Sequence, residues 1–223
     1  MTSLYDITMS NVLFNGLKQK HSNLFSDHHC TTTPKKAQKL IFDRVKVVDS
    51  NFFQVLNFTA FNWQAVVPSE LQVHLTASTF NNYVSNLPWM QILLMRDRSS
   101  QTLNVAGITC DNLTLEPGAP LVQYLGTQQS KGTNMILSQL TLTNSKLTDF
   151  VQVDTVESVT ATGVRFDLLN NQVSILTVAD PYKNGLIILT NAKNVMVDGL
   201  VAQASSMTLS PVLLTDSVTT FTI

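Results

Sequence analysis

The sequence predicts an all-β protein, a right-handed parallel β-helix solenoid of about seven coils with loop insertions. Three observations support this fold class: a short apolar pattern occurs seven times, its phase shifts by one residue at the centre of each copy, and Asn or Asp follows most copies. Recurrence at a period of roughly 20–50 residues is typical of solenoids, propellers and other repeat arrays. We therefore expect residues 1–223 to form a single domain, a segment of a longer solenoid.

Each copy of the pattern has four apolar residues around a central position, which we call the anchor. The apolar residues stand four and two places before the anchor and one and three places after it. The clearest copies span residues 103–110, 159–166 and 195–202, and each has Gly at its anchor. The seven anchors are Asn11, Arg44, Ala77, Gly107, Gln139, Gly163 and Gly199. A partial eighth copy is centred on Thr220.

Within each copy, apolar and polar residues alternate, which is the period of a β-strand. The phase shift at the anchor predicts a bend between two strands that both keep their apolar side chains inward. Anchors are 24 residues apart between Gln139 and Gly163 but 36 apart between Gly163 and Gly199. Helical repeats tolerate such variation badly, whereas a coil of strands can extrude the extra residues as a loop at one corner.

The Asn and Asp residues after the copies predict a second type of turn. Examples are Asn15, Asn82, Asn112 and Asn144, each within a few residues of the second strand. Asn and Asp accept the left-handed conformation and bond to their own backbone, so they favour sharp turns. Stacked turns of this kind would form a ladder. Apolar runs that follow, at 52–56, 150–153, 173–176 and 207–209, are the predicted third strands.

In this order of strand, bend, strand, Asn turn, strand and variable loop, the chain resembles the pectin-lyase-like superfamily over essentially its whole length. Members of that superfamily are polysaccharide-cleaving enzymes or non-catalytic surface proteins such as adhesins and large coat proteins. The paired Asp and Gly-His-Gly motifs of its polygalacturonase branch are missing from the sequence. The resemblance therefore implies the non-catalytic, adhesin-like branch.

Composition excludes some partners. The net charge is −1 and only 13% of residues are charged, so the clustered Lys and Arg typical of nucleic-acid binding are missing. The small basic cluster of Lys35, Lys36 and Lys39 is interpreted as a solvated loop. No apolar stretch is long enough to span a bilayer.

Two sequons and two cysteines bear on location. Asn57 and Asn112 each begin an Asn-x-Thr sequence that matches the N-glycosylation acceptor, which favours an extracellular or cell-surface protein. Cys110 occupies an inward strand position and is predicted to be a buried free thiol. A disulfide with Cys30 is the alternative, if the loop that carries Cys30 folds along the solenoid.

Residues 17–38 are predicted to be a long excursion from the coil, and so a candidate partner-contact loop. They contain the one cluster of potential metal ligands, His28, His29 and Cys30 with neighbouring Asp and His. Zinc sites need about four ligands in a tetrahedral array, and adjacent His residues cannot easily face one ion. We therefore predict no metal or other cofactor, and interpret His28 and His29 as candidate contact residues.

Trp63 and Trp89 are the remaining candidate contact residues. An exposed Trp can stack on a sugar ring or anchor a protein interface. Packing back onto the solenoid is the alternative that we favour. His74 is predicted to point outward on a solvated face, because no carboxylate stands at the matching position of the next coil.

Catalysis is not expected. A hydrolase on this fold needs two or three neighbouring carboxylates, and a lyase needs an acidic Ca²⁺ cluster with a base. No two acidic residues stand two positions apart on one strand face. Asp43 and Asp198 share the outward position before an anchor but lie several coils apart. No catalytic residue is predicted.

The function expected from the sequence is therefore that of a structural or adhesive segment of an extracellular surface or filament protein. It would act through protein–protein or end-to-end contacts with other protein chains, whether copies of itself or neighbouring coils, and glycans are further candidate ligands. The alternative is a carbohydrate-binding or polysaccharide-cleaving pectin-lyase-like protein. That alternative requires acidic residues from adjacent coils to converge beside a groove.

Overall fold

The computed structural model describes residues 6–28, 37–60, 70–94, 100–116, 118–126, 133–147, 149–168, 186–204 and 213–223. These residues form strands, turns and bends, with no helix among them. In chain order the strands are β1 Ile7–Ser10, β2 Leu13–Asn15, β3 Lys18–His28, β4 Ala37–Asp43, β5 Lys46–Ala60, β6 Glu70–Thr76, β7 Thr79–Ser85, β8 Met90–Leu94, β9 Ser100–Ala106, β10 Thr109–Leu115, β11 Val122–Leu125, β12 Thr133–Ser138, β13 Thr141–Thr143, β14 Val151–Thr162, β15 Arg165–Leu168, β16 Ile187–Asp198, β17 Val201–Ala204, β18 Leu213–Asp216 and β19 Thr220–Thr222.

The strands stack in parallel as three sides of a solenoid. The first sheet holds the strands before the anchors: β1, β4, β6, β9, β12, the ends of β14 and β16, and β19. The second sheet contains β2, the start of β5, β7, β10, β13, β15 and β17. The third contains β3, the end of β5, β8, β11, the starts of β14 and β16, and β18. The predicted all-β parallel solenoid is confirmed.

The corner between the first and second sheets is formed by the anchors. All seven have a left-handed backbone, with φ from 49° at Ala77 to 69° at Gly199. A residue with a Cβ atom pays roughly 1–2 kcal/mol for this conformation. Backbone bonds between coils help to hold it: Ala77 N donates to Ala106 O over 2.9 Å. The bend predicted from the phase shift is therefore confirmed, at Ala77 as well as at the glycine anchors.

The corner between the second and third sheets carries the Asn turns. Left-handed residues recur there at Gly16, Asp49, Asn82, Asn112 and Asn144. Their side chains bond from coil to coil: Asn82 Nδ2 donates to Asp49 Oδ1 over 2.7 Å. Asn112 Nδ2 in turn donates to Asn82 Oδ1 over 2.6 Å. The predicted ladder of stacked turns is confirmed.

The third corner, between the third and first sheets, is tight only in the later coils. There the chain turns at Thr155, Asn191 and Ser217, all with positive φ. Asn191 Nδ2 donates to Asp154 Oδ1 over 2.9 Å, so a second side-chain bond of the ladder type links two coils at this corner.

These corners explain the uneven spacing of the repeat. The coil from Gln139 to Gly163 has tight turns at all three corners, and it has the shortest spacing, 24 residues. In the earlier coils the longer connections join the third sheet to the first, at 29–36, 61–69, 95–99 and 126–132. In the last coils they join the second sheet to the third, at 169–186 and 205–212. The expectation of loops at one corner is therefore wrong.

Three further expectations need correction. Residues 18–28 form strand β3, paired with β5, so the segment 17–38 is not an excursion along its whole length. The third strands expected at 173–176 and 207–209 lie outside the described residues, and β16 and β18 take those places in the third sheet. Phe221 pairs with Val195, four positions before an anchor, so β19 is the first strand of another coil and Thr220 is not an anchor.

The inward residues of the three sheets form one continuous apolar core. It includes Phe42 from the first sheet, Phe80 from the second and Ile92 from the third, each fully buried. Complete burial of such a side chain contributes roughly 1.5–3 kcal/mol. Strand β8 spans Met90–Leu94, and Met90 and Ile92 are buried within it.

Candidate functional site

The outward side of the first sheet carries an open groove. Alternate residues of each strand point away from the core, and successive coils stack in register, so outward side chains form columns that run along the solenoid. A depression of about 410 Å³ crosses the columns on β1, β4 and β6. It is lined by Thr8, Ser10, Lys39, Ile41, Asp43, Gln72, His74 and Thr76.

Asp43 lies at one end of the groove and joins three successive strands. Its Oδ1 accepts a bond from Thr76 Oγ1 at 2.8 Å, and its Oδ2 accepts one from Ser10 Oγ at 3.4 Å. Arg44 Nε lies 2.8 Å from Oδ2. The Thr76 bond, followed by the charge and hydrogen bond of Arg44 and the Ser10 bond, holds the pKa of Asp43 below its usual value, against an opposing effect of burial. Asp43 is therefore an ionised acceptor at neutral pH.

His74 occupies the middle of the groove, opposite Ile41 of the preceding coil. Partial burial lowers the pKa of His74, and the positive charge of Lys39 lowers it further. The imidazole is therefore neutral at pH 7, with one donor and one acceptor nitrogen. The expectation that His74 points outward is confirmed, and the side chain is half-buried.

The groove combines an apolar surface with several polar groups. Ile41 supplies the apolar part, and hydroxyl groups stand on both sides of it. Gln72 Nε2 donates to Glu70 Oε1, which fixes the orientation of that amide and leaves its oxygen as an acceptor. Such a surface suits a ligand that presents both CH groups and hydroxyls. Among the described residues, no group of three or more His, Cys, Asp or Glu side chains is placed to hold a metal ion.

The outward side of the third sheet is less open. Gln123 is 9% exposed and Ile188 6% exposed, although both point away from the core. Gln91 Nε2 donates to Gln123 Oε1 at 2.6 Å, and Gln123 Nε2 donates to Gln152 Oε1 at 2.8 Å. These amides satisfy one another along the solenoid, so the first sheet offers the more accessible polar surface.

The structure places Trp89 in the core and not on the surface. The side chain is fully buried. Its ring meets Phe80 edge-to-face, with centroids 4.9 Å apart, and Phe42 in a similar way at 6.0 Å. Trp89 is therefore a packing residue, in agreement with the alternative that the sequence favours, and it is not a surface contact residue.

The other candidate contact residues lie largely outside the described part of the chain. The backbone of His28 ends strand β3, but the structure does not describe its side chain. His29 and Trp63 fall outside the described residues. Their roles stay predictions.

The two sequon residues occupy different environments. Asn57 lies in β5, paired with Gln91 of the next coil. Asn112 is exposed, with φ 53°, and its Nδ2 atom donates to Asn82. A glycan on Asn112 would be attached to that same nitrogen, so it would compete with the turn ladder.

Cys110 is a free thiol in the core, where burial raises its pKa. The predicted inward position is confirmed. Cys30, the alternative disulfide partner, lies outside the described residues.

The first and last described coils expose large apolar side chains. At one end Leu13 of β2 is 58% exposed. At the other end the exposed fractions are 42% for Val201 of β17, 41% for Phe221 and 95% for Ile223. In the described part of the chain, β1, β2 and β3 each have a strand partner on one side only, as do β17, β18 and β19.

Sequence reasoning missed the groove. The sequence predicts Lys39 in a solvated loop, but it lies in β4 and lines the groove beside His74. Aligning the outward positions of successive copies would have found it, since Ile41 and His74 both stand three places before an anchor. The apolar end residues Leu13 and Val201 would have emerged from the same alignment of outward positions.

Comparison with known proteins gave no match from a family model, a curated protein or a solved structure. Among the described residues, no helix has the length and apolar composition needed to cross a membrane.

Proposed function

We propose that this chain is a structural segment of an extracellular surface or filament protein, and that it works through protein–protein contacts at the ends of its solenoid. The observation that carries the proposal is the contrast between the inner and outermost coils. Val195 and Val197, in the first sheet, are 2% and 5% exposed. Phe221, stacked on Val195 one coil further, is 41% exposed.

Open strand edges strengthen the argument. An edge strand with unpaired N–H and C=O groups is a template for pairing with another chain. Here such edges coincide with exposed apolar residues at both ends, Leu13 at one and Val201 at the other. The open strand edges and the exposed apolar residues both favour association, since pairing would satisfy backbone groups and remove apolar surface from water.

Sedimentation velocity of the full chain over a wide concentration range tests the proposal. We expect concentration-dependent growth of elongated species, reduced by Leu13→Lys. The matched control is Ile136→Lys, which alters an exposed apolar residue in the middle of the first sheet and should leave association unchanged. A chain that stays monomeric at every concentration would refute the proposal.

A second candidate function, as a carbohydrate-binding or polysaccharide-cleaving protein, rests on the groove. Ile41 offers an apolar contact for a sugar ring, while Asp43, Gln72 and His74 offer hydrogen bonds. Binding of pectin, alginate or chitin oligomers, followed by NMR titration and by product analysis, tests it. His74→Ala should abolish binding. Thr160→Ala is the control and should leave binding unchanged, because Thr160 lies in the same outward column as His74 but further along the solenoid, two coils beyond Asn104. Unaltered spectra with all three oligomers would exclude glycan binding at this groove.

A further inference from the structure

One outward column of the second sheet is polar along its length and apolar at its two ends. This column stands two places after each anchor, and its residues pair from coil to coil. Its members are Leu13, Lys46, Thr79, Thr109, Thr141, Arg165 and Val201. Leu13 and Val201 are 58% and 42% exposed. Two copies stacked head to tail in the register of the coils would bring these two side chains together.

The position of each strand along its sheet determines how such a contact can form. For β2 of the second copy to pair with β17 of the first copy, β2 must lie one coil beyond β17 in the second sheet. The β3 strand of the second copy then meets β18 of the first copy at the same spacing. The β1 strand of the second copy, however, would then lie next to β16 of the first copy in the first sheet. That position is already occupied by β19 of the first copy. The second and third sheets can therefore continue across the junction only if β19 leaves its place.

β19 is weakly held. All three of its residues are exposed, and its register with β16 covers only three residue pairs. Strand β1, by comparison, pairs over four residues with β4. It also supplies an inward Ile7 and Met9 at the positions that correspond to Val195 and Val197 in the repeat.

We propose that a second copy of this chain docks head to tail with Leu13 against Val201, and that its β1 displaces β19 and pairs with β16 instead. Ile7 then takes the place of Phe221 on Val195. This inference rests on the proposed function, because it specifies the register and the strand exchange of the end-to-end contact.

Cysteine cross-linking tests the register. In the full chain with Cys30→Ser, the pair Leu13→Cys and Val201→Cys places thiols on adjacent strands at the proposed junction. Neighbouring strands lie roughly 4.8 Å apart, within the Cα separation that a disulfide accepts. Within one copy the same residues are six coils, roughly 29 Å, apart, so every disulfide between them joins two copies.

The matched control pairs Val201→Cys with Thr109→Cys, an exposed residue in the middle of the same column. Mild oxidation should convert the Leu13/Val201 variant into a ladder of covalent oligomers, several-fold more than the control. Equal cross-linking of the two variants overturns the proposed register. If sedimentation still shows association of the unmodified chain, the end-contact function stands while this inference falls.

A locked strand tests the displacement. Asn194 and Thr220 are register partners with exposed side chains, so Asn194→Cys with Thr220→Cys in the Cys30→Ser background can tie β19 to β16. Association should be lost when this disulfide forms and restored on reduction. Undiminished association of the oxidised protein, with the disulfide confirmed by mass spectrometry, contradicts strand exchange.

Discussion

Asn112 donates a hydrogen bond from Nδ2 to Oδ1 of Asn82, over 2.6 Å and thirty positions along the chain. Both residues have left-handed backbones, with φ values of 53° and 51°. Asn82 in turn donates a hydrogen bond from Nδ2 to Oδ1 of Asp49. One residue type thus serves two purposes, because the Asn backbone accepts the turn and its amide spans the rise between coils.

Asn82 separates these two contributions experimentally. Asn82→Gly keeps the left-handed backbone and removes two side-chain bonds, so we expect a loss of about 1–2 kcal/mol of unfolding free energy. Asn82→Ala removes the same bonds and leaves a Cβ atom in the left-handed region without the polar side chain that makes this conformation tolerable for Asn, so we expect a loss of about 2–3 kcal/mol. Urea unfolding measures both. Equal losses for Gly and Ala would show that the backbone conformation contributes little.

Ala77 gives the complementary test at the anchor corner. Its φ of 49° is unfavourable for alanine, so we expect Ala77→Gly to stabilise the protein by about 0.5–1 kcal/mol. Ala106→Gly is the matched control, since Ala106 ends strand β9 and is not among the residues with positive φ. The control should lose about 0.5–1 kcal/mol. Destabilisation by both substitutions would contradict strain at Ala77.

Asp43 should make stability depend on pH. Its pKa is lowered in the folded state, chiefly by the Thr76 hydrogen bond, so the unfolded chain binds the proton more readily. The stabilising contribution is therefore present above the ordinary Asp pKa of about 3.9 and is lost as pH falls through the lower folded value.

Asn at position 43 removes this titration. We expect the urea midpoint of the native protein to fall more steeply below about pH 4 than that of Asp43→Asn. Thr76→Val should bring the native slope part of the way towards that of Asp43→Asn, because it removes the largest cause of the shift. Parallel midpoint curves for the native protein and Asp43→Asn would argue against a coupled Asp43.

The repeat was predictable because it is encoded locally. The phase shift at Ala77 and the Asn at position 82 each set backbone geometry through their own residue and its nearest neighbours. Inward residues such as Phe80 follow from strand alternation. These local rules extend from coil to coil, since every coil stacks on one like itself.

The predictions from the sequence were wrong where a local pattern is compatible with more than one structure. An apolar run after a turn can pair at once or only after a longer connection, so the third strands of the last coils were placed too early. β3 was missed because its sequence lacks alternation, and pairing with β5 decides its conformation. The groove could not be predicted from any single segment of the sequence, because Asp43 and His74 lie on different coils and line the same groove only when those coils stack.

Trp89 provides a test of the core, since the sequence left it between surface and interior. Its ring is packed against Phe80 and Phe42, while its indole nitrogen has no hydrogen-bond partner among the described residues. Trp89→Ala should cost about 3–5 kcal/mol of unfolding free energy, because it opens a cavity among these rings. Trp89→Phe keeps a ring and removes the unsatisfied N–H group, which by itself costs about 1–3 kcal/mol. We therefore expect Trp89→Phe to lose much less stability than Trp89→Ala, and small, equal losses in urea unfolding would place the ring outside the core.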